Sequence, residues 1–116
     1  MYSTANETSY RIIIERKQNT KISNSITCIL IANNRPYPLA DGASITIHCD
    51  HSQFEIPVLI SKSAKKQFEG ILTGTAEGND IRILLEMDPT QKTLCIIKEA
   101  ANSTIALVEK PGATKW

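Results

Sequence analysis

The sequence has few aromatic residues, no paired cysteine spacing, almost no net charge and no long apolar run, and each shortage excludes a class of protein. Aromatic side chains make up 5% of the 116 residues, which leaves little surface on which bases could stack. Thirteen Lys and Arg against twelve Asp and Glu give a formal net charge of +1. The lysines are scattered, with Lys65-Lys66 as an adjacent pair and a basic turn at Arg16-Lys17. Phosphate binding needs a dense basic stripe, so no nucleic-acid partner is expected. The three cysteines, Cys28, Cys49 and Cys95, are an odd count for a secreted disulfide framework and match no zinc-ligand spacing. No apolar run approaches the ~20 residues of a membrane span. The first ten residues, MYSTANETSY, lack the basic-then-apolar order of a signal peptide. A cytoplasmic or virion protein is expected if the chain is whole, and an extracellular or cell-surface one if it is a mature segment.

What is present is β-branched and comes in short runs separated by turn residues. YRIIIER (10–16), SITCILIA (25–32), SITIHCD (44–50), FEIPVLI (54–60), QFEGILTGTA (67–76), DIRILLEMD (80–88), TLCIIKE (93–99) and STIALVE (103–109) all read as strands. In SITIHCD the alternation puts Ile45, Ile47 and Cys49 on one face and Ser44, Thr46 and His48 on the other. Pro57 has no N–H to donate and predicts a sheet edge or bulge. Glu77-Gly78-Asn79 predicts a hairpin between the fifth and sixth runs, and AANS one between the last two. Asp88-Pro89-Thr90-Gln91 reads as a proline-second turn. SKSAKKQFEG (61–70) is too short to persist as a helix and reads as a turn. The expected fold is an all-β, immunoglobulin-like sandwich of two antiparallel sheets with about seven or eight strands. The expected organisation is a linker over 1–9, one domain over 10–110 and a tail over 111–116.

The order of signals in ITCILIANNRPYPLADGASITIHC (26–49) resembles bacterial immunoglobulin-like domains of the intimin/invasin type. In that family an apolar strand is followed by a turn, a proline, a small polar loop and an alternating strand. Here Asn33-Asn34-Arg35-Pro36 occupies the turn, with Arg35 where the family usually has glycine, and Gly42 to Ile47 opens the next strand. QFEGILTGTAEGNDIRILLEMD (67–88) resembles the closing hairpin, with Gly70, Thr73, Thr75 and Gly78 at corresponding places. The resemblance spans residues 10 to 88. It implies a non-catalytic, cofactor-free module of a bacterial surface or secreted adhesin, a spacer or a receptor-binding tip that contacts a protein partner and sometimes serves virulence. It carries no catalytic residues over. A phage baseplate or tail protein with a β-sandwich would give a similar string, and the two readings stay open together.

The residues themselves offer three candidate chemistries. HCDH (48–51) gathers His48, Cys49, Asp50 and His51. On a strand, His48 and Asp50 point one way and Cys49 the other, so a metal site using His48, Asp50 and His51 needs further ligands such as Asp41 or Glu55. A solvated strand end is the expected reading, and a small metal-binding or enzymatic β-domain is the alternative. Cys49 cannot pair with His48, because adjacent strand residues diverge. Cys28 and Cys49 share parity with core residues and are expected to be buried thiols, or a disulfide if their strands face each other closely enough. The loop NNRPYPLADG offers Arg35, Tyr37 and Leu39 as binding residues, since Tyr and Arg are favoured at interface centres. The competing expectation is that Tyr37 or Leu39 plugs the end of the core.

Overall fold

The computed structural model describes residues 10–19, 21, 26–76 and 80–110. The expected linker (1–9) and tail (111–116), and the Glu77–Asn79 connection, lie outside them. The chain forms the expected all-β sandwich of two sheets. Among the described residues nine strands are present: β1 (Tyr10–Arg16), β2 (Thr27–Ala32), β3 (Arg35–Pro38), β4 (Ser44–Cys49), β5 (Gln53–Ser63), β6 (Lys66–Thr75), β7 (Asp80–Met87), β8 (Cys95–Ala100) and β9 (Ala106–Glu109). One sheet has the order β4-β1-β7-β8 and the other β3-β2-β5-β6-β9.

Period-two alternation builds the core from both layers. Ile12 and Ile14 of β1 and Ile81, Ile83, Leu85 and Met87 of β7 are buried on one side. Leu30 of β2, Phe54, Ile56, Val58 and Ile60 of β5 and Leu72 of β6 are buried on the other. Each such side chain contributes roughly 1.5–3 kcal/mol relative to exposure. The odd-numbered face of SITIHC turns inward as expected, with Ile47 buried, Ile45 and Cys49 half-buried, and Ser44, Thr46 and His48 exposed.

Several expectations are corrected. The four-stranded sheet is mixed, because β1 runs parallel to β7 (Ile12↔Ile81, Ile14↔Ile83) while pairing antiparallel with β4. The strand count rises to nine because β3 lies within the proline-bearing loop, returned against β2 by Asn33-Asn34. Both asparagines have positive φ, 54° and 63°, as a two-residue hairpin of right-handed twist requires. The two predicted late hairpins do not form. β6 pairs with β5 and β9, whereas β7 pairs with β1 and β8, so both connections cross between sheets. Pro57 is not on an edge strand, since β5 lies between β2 and β6. Its missing N–H explains where pairing stops: the β2–β5 register ends at Leu30↔Val58, one residue short of Pro57.

Gly70 and Gly74 sit in an unbroken stretch of β6 rather than at bulges. A Cβ on Gly70 would meet the Phe68 ring and lie 2.6 Å from the Val108 carbonyl oxygen. The aromatic ring takes the space a side chain would fill, and the backbone of β9 cannot retreat without losing its ladder. Gly70→Ala is therefore expected to cost about 1–3 kcal/mol, read as a lower urea midpoint at unchanged slope.

Candidate functional site

β3 and β4 are the outer strands of their respective sheets on the same side of the sandwich, and a cleft of about 270 Å³ opens between them. Ala32, Asn33, Tyr37, Ile45, Thr46, Ile47 and His48 line it. The hairpin turn fixes the position of β3, and Pro36 and Pro38 lock φ on either side of Tyr37. Tyr37 is half-buried and packs against the core, while Arg35 is exposed beside it. Leu39, by contrast, is 2% exposed and belongs to the core, and it does not line this cleft. Tyr37 and His48, taken from two separate sequence candidates, thus line one cleft. It offers an apolar floor with a phenol, an imidazole, a hydroxyl and an amide around it.

The HCDH stretch does not assemble as a metal centre among the described residues, where no group of three His, Cys, Asp or Glu stands together. His48 is exposed at the sheet edge and its cross-strand neighbour is Arg11, a cation where a ligand set would want a carboxylate. That guanidinium is itself held by Asp80, through Nε at 2.9 Å and Nη2 at 2.8 Å. Asp50 and His51 lie in an exposed bend after β4.

All three cysteines are free thiols. The Cys28–Cys49 bridge raised by their shared parity does not form. Cys49 pairs with Tyr10 at the start of β1, whereas Cys28 lines the same cavity as Arg16, at the end of β1. Six strand steps separate those two ends, roughly 20 Å, far beyond the ~7 Å limit for bridging Cα atoms. Cys49 is half-buried rather than a core residue, because β4 is an outer strand. Burial pushes its thiol up, and the Asp50 charge adds to the shift. Cys95, whose face the sequence leaves undecided, points inward and is 2% exposed.

The residue that sequence reading missed is Arg16. The sequence suggests a basic turn at Arg16-Lys17, yet Arg16 ends β1 on the inward face behind Ile12 and Ile14 and is 4% exposed. Its Nη1 donates to the Leu39 carbonyl at 3.0 Å and its Nη2 to the Ile26 carbonyl at 2.9 Å. The signal was its even-numbered parity with the two isoleucines. Comparison with known proteins finds no family model, no curated protein and no solved structure that matches this chain.

Burial pushes the Cys28 thiol up to about 11 and Cys95 up to about 12, with the Arg16 charge offsetting part of each shift. In the unfolded chain these thiols ionise near 9. Above that pH the folded state keeps protons that the unfolded state has lost. Their contribution to stability is therefore fully present below about pH 9 and is lost as pH rises towards 11 and 12. The slope is about 1.4 kcal/mol per pH unit for each thiol. Denaturation midpoints measured in Cys28→Ala and Cys95→Ala proteins should show a shallower decline over that range. In a thiol titration of the native protein at pH 8, Cys49 should react first and the other two only on unfolding.

Proposed function

We propose that the chain is a non-catalytic binding module whose contact surface is the open side of the sandwich formed by β3 and β4 around Tyr37. The observation that carries this reading is a rigid aromatic presented over a preformed cleft: Tyr37 held between Pro36 and Pro38, next to an exposed Arg35 and above Ile45 and Ile47. Tyr and Arg dominate the energetic centres of interfaces, and a strand already fixed by two prolines and a tight turn loses little entropy on binding. The same prolines remove N–H donors from β3, so a partner reads side chains here rather than adding a strand. That partner is a protein. The resemblance to intimin/invasin-type domains gives the module its setting, as a spacer or tip of a bacterial adhesin-type protein. What supports the setting is the two-sheet β architecture and the 26–49 stretch; the closing hairpin over 67–88, on which the likeness also rests, does not form.

A photo-crosslinking amino acid at position 35, in cells that produce the protein, should give a discrete adduct that disappears when Tyr37→Ala is added. The same reagent at Glu69, exposed on β6, should give none. Equal labelling from both positions, or an adduct indifferent to Tyr37, would sink the reading. An adduct consisting of further copies of this chain in a closed ring would transfer the surface to a virion-type assembly.

A further inference from the structure

Among the described residues Arg16 is a buried charge without an opposite charge. A guanidinium carries five N–H donors and no acceptor. Nη1 and Nη2 each reach one carbonyl, and Nε is buried with no partner among the described residues. Among the described residues the ion pairs are Arg11–Asp80, Lys17–Glu86 and Lys98–Glu86, and none involves Arg16. Two carbonyl dipoles satisfy two of its donors but do not neutralise its charge. The same low-polarity surroundings strengthen its attraction for any anion that reaches it.

An anion has a route. Arg16 forms part of the wall of an open cavity of about 430 Å³ between β2 and the chain that follows β3. This volume lies in the usual range of small-molecule sites. Ile29, Pro38 and Leu39 give the cavity hydrocarbon walls, and Asp41 also lines it. The Asp41 carboxylate already accepts the Asn19 N–H at 2.8 Å. No lining residue is shared with the Tyr37 cleft.

We propose that this cavity binds a small monocarboxylate with an aliphatic body, its carboxylate paired with the Arg16 guanidinium and its chain lying against Ile29, Pro38 and Leu39. The planar fork of arginine matches the two oxygens of a carboxylate. A phosphate or other dianion fits less well. The cavity wall offers a single cation, and the Asp41 carboxylate repels a dianion more strongly than a monoanion. This site goes beyond the contact surface proposed above and stands or falls separately from it.

Hexanoate, hexanamide and inorganic phosphate titrated into the full chain test it, followed by the backbone amide resonances of Cys28, Leu39 and Ala40. Hexanoate should give saturable shifts at these positions, with an affinity at least tenfold above that of hexanamide and of phosphate. Ala40 is exposed and lines the cavity, so Ala40→Trp should narrow it and weaken hexanoate by a similar factor while the rest of the spectrum stays in place. Equal affinity for hexanoate and hexanamide would show an apolar hollow with no role for the cation. Preference for phosphate, or no saturable shift with any of the three, would also overturn the proposal. The amide comparison requires no substitution and holds even if the tryptophan variant fails to fold.

Discussion

The guanidinium of Arg16 joins the two sheets at one end of the sandwich, and much of the remaining architecture is arranged around that junction. β1 sends Ile12, Ile14 and then Arg16 towards the facing layer. The first two meet hydrocarbon, and the third meets the carbonyls of Ile26 and Leu39. Those carbonyls lie just before β2 and just after β3, where the ladder of the five-stranded sheet has run out. Hydrogen bonds to a charged donor contribute more than neutral ones, on the order of 1.5–3 kcal/mol each. The Arg16 backbone N–H donates to the Ala43 carbonyl at 2.9 Å, so one residue holds the β1 end, the β3–β4 loop and the approach to β2 together.

From that point the open side of the sandwich follows. With the loop after β3 tied down, β3 lies along β2 with its prolines outward and Tyr37 inward, and β4 closes against β1 on the other layer. The cleft between β3 and β4 exists because, among the described residues, neither strand has a further neighbour in its own sheet. On the opposite side the edges meet more closely, as β9 covers β6 and approaches β8. An asymmetric sandwich of this kind has one covered side and one side with an aromatic, a cation and a hollow.

Much of this was legible in the sequence, for a physical reason that also explains the gaps. Alternation is local, so the inward faces of YRIIIER, SITIHC and DIRILLEM could be read from parity alone. Partner choice is not local. A glycine-bearing turn after β6 announces that the chain reverses, but not that it leaves one sheet for the other, and neither late hairpin expected from such turns forms. β3 was hidden because two prolines argue against a strand, although an outer strand tolerates them. Pro57 suggests an edge or a bulge from its missing N–H, whereas it marks the end of one ladder inside a central strand. Of the site, Tyr37 and His48 were named, but for unrelated chemistries, because nothing in the sequence says that β3 and β4 flank one cleft. Arg16 was passed over because a charge after apolar residues reads as a strand end rather than as its last inward position.

The most direct measurement of the central claim is the unfolding free energy of Arg16→Met, a side chain of similar length that packs but cannot donate. If Arg16 is the polar bond between the layers, the substitution strands two buried carbonyls, and stability should fall by about 2–4 kcal/mol in urea denaturation at unchanged slope. Stability equal to or above that of the parent protein would contradict the account, because it would mean that hydrophobic filling alone holds the two layers at that end.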